Sequence, residues 1–360
     1  MNIADHFVDA LKSFGYTAAE ARFLYIVATH SGYFTTRHFL AFTGSRRGFR
    51  TRALTKKLLK NKHASSEDYP SYGRVYHVFS KPLYAAIGKE NLRNRRTHSF
   101  DHIRTRLLGL SFILENREFH FLETETDKVQ YFCETLKVKK QFLPARIYDG
   151  APGTKPTVRY FVDKFPLFLA PATGSSASPV VTFTYVDSGA ESLDSFLTHL
   201  CAYQPLFREL REFRFVFISP APTNFARARD KFHALVKAPF EVAAPGDIVR
   251  YFQIRKAWED REYVKPVAGD LEFLRLSMQR YQGEHFEKLF QDWKAGDVTE
   301  KDLERDARPT HSERNITFDT YLVRSPRMLP TNPAWRPERG PFRPVQQPVQ
   351  IPVQRKAVRK

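Results

Sequence analysis

The chain has 360 residues, 42% of them hydrophobic and 14% aromatic, enough apolar surface for about two domains at roughly 150 residues each. Its net charge of +18 sits at the ends: residues 1–110 carry 19 Lys and Arg against 7 Asp and Glu, residues 325–360 carry 8 against 1, and the middle is close to neutral. This pattern favours a polyanion-binding head, with double-stranded DNA as the first partner to consider, and excludes a membrane span, because no apolar run approaches ~20 residues.

The first clear element starts at Thr17, followed three residues later by Glu20, a capping box ahead of a helix through about His30. Gly32 breaks it. Thr35 or Thr36 caps a short second helix ending at Gly44, and a third is expected from Ser45 to about Lys60, starting later if Gly48 interrupts it. Ala53, Leu54 and Leu58 of this third helix suit a core, while Arg46, Arg47, Arg50, Lys56 and Lys57 occupy its start and outer faces. A basic helix in third place, after a short second one, is where a recognition helix meets the major groove, and arginine there can read guanine or grip phosphate. Residues 61–80 read as two short strands around a turn containing Pro70 and Gly73, which makes the head a winged helix-turn-helix. His63 and Arg74 on the hairpin, and Arg93, Arg95 and Arg96 beyond it, are the candidate phosphate contacts; solvation of the surface is the competing reading for His63 and the arginine cluster. Ser99 then caps a helix through about Ile113 whose apolar stripe is expected to pack on the head or on a second subunit.

The middle reads as a short extended piece at residues 118–121, a helix capped by Thr124, a loop-rich stretch, strands at 159–162 and 179–186, a long helix at 193–210, a strand at 213–218 and a helix at 225–236. This order is a small α/β layer, in which ligand chemistry gathers at strand ends. Asp163 and Asp187 each follow a strand and could together hold a divalent cation; the alternative is that each only terminates its strand. Beyond residue 246, helices are expected at 247–263 and 270–293, forming a hairpin or a dimer contact. The segment 325–360 has eight prolines, a composition that cannot bury enough surface to offset its ordering entropy.

Three local stretches carry a resemblance: Val162-Asp163-Lys164-Phe165, the run from Tyr185 through Asp187, Gly189 and Glu191 to Ser192, and Leu200 to Tyr203. Over residues 17–220 the chain resembles the replication-relaxation family of plasmids, phages and integrated mobile elements. That resemblance implies a winged-helix head on a restriction-nuclease-like body. The departures are Val162 for proline, Tyr185 for glutamate and Ala190 for threonine. Protonated tyrosine is a poor metal ligand and no lysine follows in the strand, so the resemblance implies a nuclease-like scaffold without catalysis; a metal-dependent nuclease using Asp163, Asp187 and Glu191 is the alternative, and a scaffold recruiting replication or transcription proteins a third.

The expected organisation is therefore a multidomain α+β/α/β chain. A winged-helix DNA-binding domain spans 1–96, a small α/β nuclease-like body 97–245 and a helical extension 246–305. A disordered, basic, proline-rich tail covers 306–360. No Gly-rich nucleotide-binding run is present, which speaks against an ATPase, and neither cofactor nor metal is expected. Cys133 and Cys201 lack partners at metal-ligand spacing and read as buried thiols of a cytoplasmic protein.

Overall fold

The computed structural model describes residues 1–45, 49–69, 73–148, 156–163, 165–171, 179–189, 192–238, 246–260, 269–306 and 314–323. It shows a multidomain α+β/α/β architecture. The N-terminal part begins with α1 (Asp5–Lys12), which the sequence reading passes over, and α2 (Ala18–His30). The Thr17 capping box is formed: the Glu20 amide donates to Thr17 Oγ1 and the Thr17 amide donates to Glu20 Oε2 at 2.8 Å. There follow β1 (Tyr33–Thr35), α3 (Thr36–Thr43), α4 (Phe49–Lys60) and the hairpin of β2 (Ala64–Tyr69) and β3 (Gly73–Val78). β1 joins the hairpin as its third strand, so the antiparallel sheet runs β1-β3-β2. Gly44 ends α3 in the left-handed conformation at φ 63°, where a Cβ would be strained.

The helices pack because each presents one apolar face. Leu11 of α1, Phe23, Leu24 and Val27 of α2, Phe39 of α3, and Leu54 and Leu58 of α4 meet Phe34 and Val78 of the sheet in one core. The short helix α5 (Lys81–Ala86) closes that core with Leu83 and Tyr84.

The long helix α6 (Phe100–Glu115) joins the two halves. Its Ile103 and Leu107 pack with Tyr33 and Val75 of the small sheet, while Leu108 and Phe112 join the core that reaches Phe168, Val186, Val216 and Ile218 of the second sheet. That sheet has the order β10-β9-β8-β7-β4. β4 (His120–Phe121), β7 (Leu167–Ala170) and β8 (Val180–Val186) run antiparallel in turn, and β8, β9 (Glu212–Ser219) and β10 (Asn315–Leu322) run parallel. Between β4 and β7 come α7 (Glu125–Gln130) and a two-stranded hairpin, β5 (Ala145–Tyr148) with β6 (Thr157–Tyr160). α8 (Asp194–Glu209) makes the crossover from β8 to β9, the kind of connection parallel neighbours need. Alternation along β8 sends Val181, Phe183 and Tyr185 toward Phe196, Tyr203 and Phe207 of α8 and Val186 toward α6, where a Cβ on Gly109 would lie 3.8 Å from it. The sheet is thus covered on one face by α6 and on the other by α8 and α9 (Phe225–Phe232), whose Phe232 joins the same cluster.

Two expectations about the C-terminal part are corrected. The single helix expected at 270–293 is two, α11 (Asp270–Arg280) and α12 (Glu284–Ala295), parted at Gly283 with φ 108°. With α10 (Asp247–Glu259) and α13 (Glu300–Asp306) they build a separate core on Ile248, Phe252, Tyr281, Phe290 and Leu303. The tail expected from residue 306 contains β10, whose Ile316 and Phe318 pack under the edge of the sheet beside β9; residues 324–360 lie outside the described residues. The cysteines are also less enclosed than expected, Cys133 being half-buried and Cys201 exposed. Among the described residues no helix is long and apolar enough to cross a membrane.

Candidate nucleic-acid interface

α4 sorts its side chains by helical phase. Thr51, Leu54 and Leu58, three and four residues apart, are buried. The opposite side carries Arg52, Lys56 and Lys60 at i, i+4 and i+8, with Arg50 flanking them, and all four are exposed. None of the four forms an ion pair among the described residues. Phe49 stands at the N-terminal end of the same face with 86% of its surface accessible. The result is a continuous cationic stripe one helix long, held rigidly because its back is locked in the core. Arg52 and Lys60 were absent from the sequence-derived set although the four-residue spacing that aligns them with Lys56 is plain in the sequence. Arg46 and Arg47 lie outside the described residues.

Several of the remaining basic candidates have partners within the chain. Lys57 turns to the side of α4 and pairs with Glu20 at 2.5 Å, donates to the Gly15 carbonyl and lies over the Tyr16 ring. It ties α4 to the turn before α2. His63 is buried at the α4–β2 junction, its Nδ1 2.7 Å from the Tyr16 hydroxyl and its ring against Phe14. Burial lowers its pKa, so the phosphate role expected of it gives way to a packing role. Arg74 sits directly opposite Asp68 across the β2–β3 ladder and holds it with two hydrogen bonds of 3.1 and 3.0 Å. With Glu67 beside it, the described part of the hairpin offers no surplus of positive charge.

The 93–96 cluster divides similarly. Arg93 stacks on Tyr148, 4.8 Å from the ring centroid. The Nε and Nη1 atoms of Arg95 are buried among protein atoms, and only Arg96 is exposed. The residue that organises this segment is Asn94, which sequence reasoning did not single out. It is buried, donates through Nδ2 to the Ala28 and Thr29 carbonyls at 2.9 and 2.8 Å, and accepts from Arg106 Nη1 at 2.7 Å. It therefore satisfies the orphan carbonyls at the end of α2. An isolated Asn in an arginine run carries no signal that would reveal this.

In the body, Asp187 follows β8 and Asp163 lies between β6 and β7, and each has its own partners. Asp163 Oδ2 accepts from the Tyr203 hydroxyl at 2.5 Å and faces His199 Nδ1 at 3.9 Å. Asp187 is buried, accepts from Ser219 Oγ at 3.1 Å and Asn224 Nδ2 at 3.4 Å, and takes the Gly189 amide at 3.0 Å, closing an Asx turn after β8. Tyr185 fills the space above Phe165, Phe196 and His199, and burial pushes its pKa up to about 12, so it stands as a neutral phenol. Glu191 lies outside the described residues. Among those described, no group of three His, Cys, Asp or Glu side chains is gathered as a metal site would require. No family model, curated protein or solved structure matches the chain.

Proposed function

We propose that the chain is a double-stranded DNA-binding protein whose N-terminal part is a winged helix-turn-helix, with α4 entering the major groove. One observation carries this reading: the stripe of Arg50, Arg52, Lys56 and Lys60, exposed and uncommitted on the outer face of a helix whose inner face is core. The order helix, strand, helix, helix and two-stranded hairpin, with the first strand completing the sheet, supports the winged-helix assignment, α3 and α4 being the helix pair. Arginine and lysine on such a helix neutralise phosphates and release counterions, which supplies most of the non-specific affinity. The acid-paired Arg74 makes the hairpin a minor contributor, so the helix is the principal contact.

The body is read as a nuclease-like scaffold that acts without catalysis. Support comes from Asp163 and Asp187 being engaged separately by Tyr203 and by Ser219 with Asn224, and from Tyr185 standing where the resemblance has a carboxylate. A role in replication or transcriptional control of a mobile element rests on that resemblance. The test is a mobility-shift assay on duplex DNA. Replacing Arg50, Arg52, Lys56 and Lys60 together by alanine is expected to abolish the shift, while Arg74→Ala lowers affinity less than about threefold. An undiminished shift from the quadruple variant would remove α4 from the interface.

A further inference from the structure

Where α2 and the segment after α5 meet the body, the chain leaves a cleft of about 830 Å³. Its walls are the end of α2, residues 88–93, the β4–α7 turn and the stretch from β6 to Leu167. Half of the charged side chains lining it are paired with one another. The Lys89 ammonium donates to Glu123, to the Tyr25 hydroxyl at 2.9 Å and to Thr29 Oγ1 at 3.1 Å, and Arg159 pairs with Glu125 at 2.7 Å.

Lys128 is the most buried of the cations left outside those pairs. The residue is 7% exposed, and its Nζ lies 5.9 Å from the centroid of Phe161, which also lines the cleft. It makes no hydrogen bond or ion pair among the described residues. Taking an ammonium partly out of water costs free energy when no counter-charge meets it. Burial lowers the Lys128 pKa, against which Asp163, Asp127 and Glu125 act without any of them forming an ion pair with it. Among the other lining cations, the exposed Lys140 sits over Tyr160 at 5.0 Å and the half-buried Arg93 on Tyr148. Once the ion pairs are set aside, the cleft holds Lys128, Lys140 and Arg93 against Glu134.

We propose that this cleft is a binding site for a small phosphate-bearing ligand, with Lys128 as the cation that receives the phosphate and Arg93 and Lys140 flanking it. Its volume falls in the ~300–1,000 Å³ range of small-molecule sites and exceeds what bare phosphate fills, and Tyr160, half-buried at the cleft wall, offers aromatic surface for the remainder of the ligand. An occupant touches the end of α2 on one side and α7 and β6 on the other, so it bridges the N-terminal part and the body. The site is independent of the DNA reading, since no α4 residue lines it.

The test is isothermal titration of the full chain with adenosine 5′-monophosphate, inorganic phosphate and, as the uncharged control, adenosine. Both phosphate compounds are expected to bind and adenosine not to. Lys128→Met is expected to weaken binding about tenfold or more, the loss of one charge-assisted hydrogen bond, with a melting temperature equal to or above that of the parent because an unpaired buried charge has gone. Absence of binding heat from both phosphate compounds overturns the proposal. So does an unchanged affinity in Lys128→Met, which would assign the heat to surface cations. Should that variant fail to fold, hydrogen–deuterium exchange of the parent with and without adenosine 5′-monophosphate decides: protection across residues 121–130 supports the site, and protection confined elsewhere overturns it.

Discussion

Gly32 and Asn94 show how tightly the end of α2 is closed. Gly32 has φ 79°, and a Cβ built there would lie 2.3 Å from the Asn94 carbonyl oxygen, a backbone atom that cannot swing aside. Gly32→Ala is expected to destabilise the chain by about 2–4 kcal/mol, the combined cost of left-handed backbone strain and overpacking, read as a lower urea midpoint; a change below ~0.5 kcal/mol would show that the segment at Asn94 yields freely. Two enclosed histidines give a pH dependence. His38 Nδ1 accepts from the Thr35 amide at 3.0 Å, so the proton is on Nε2, which faces the Leu107 carbonyl at 3.2 Å and Ser111 Oγ at 3.0 Å. Burial drives its pKa, and that of His30, down to about 4 from 6.5. Unfolded chains then bind more protons than folded ones between these values. Stability is complete above pH 6.5 and falls as pH drops toward 4, by about 3 kcal/mol for each ring. Denaturant unfolding from pH 7.5 to 4 checks this, with His38→Gln expected to flatten the slope, and an identical slope in that variant would refute the assignment.

At the scale of elements, the residues that fold locally were readable and those that fold against distant partners were not. The Thr17–Glu20 and Thr124–Asp127 boxes announce α2 and α7 because their hydrogen bonds close within four residues. α4 was recognisable from Leu54 and Leu58, and β8 and β9 from their β-branched and aromatic runs. The partners of the basic side chains were not readable: Lys57 meets Glu20, Arg74 meets Asp68 and Arg93 meets Tyr148 only once the chain has folded, so charge alone overcounted the interface. β10 is hard to see in the sequence although Ile316 and Phe318 alternate with Asn315, Thr317 and Asp319, because a half-exposed edge strand has few apolar residues and a proline-rich segment follows it. A chain ending at residue 313 is accordingly expected to unfold about 5 kcal/mol more easily than one ending at Val323, from the lost burial of Ile316, Phe318 and Val323. Equal urea midpoints for the two would contradict the role given to this strand.

For the whole molecule, the charge map and the fold agree on where the uncommitted cations are. Of the 19 basic residues in 1–110, Arg74 and Lys57 are held by acidic partners and Arg93 lies on the Tyr148 ring, while the outer face of α4 carries four exposed cations with no ion pair among the described residues. The body, near neutral in sequence, spends its polar side chains on strand ends and on the seam with the N-terminal part. The proposed DNA contact therefore rests on the outer face of α4.

The most direct test is the salt dependence of duplex DNA binding, followed by fluorescence anisotropy between 50 and ~200 mM salt, conditions over which phosphate contacts report themselves. The parent is expected to give a steep linear fall of log affinity with log salt. Each single alanine at Arg50, Arg52, Lys56 or Lys60 is expected to reduce the slope by about 0.9, and Lys57→Ala to leave it unchanged. A slope that survives all four substitutions, or one that drops with Lys57→Ala alone, would contradict the assignment of α4 as the DNA-contacting element.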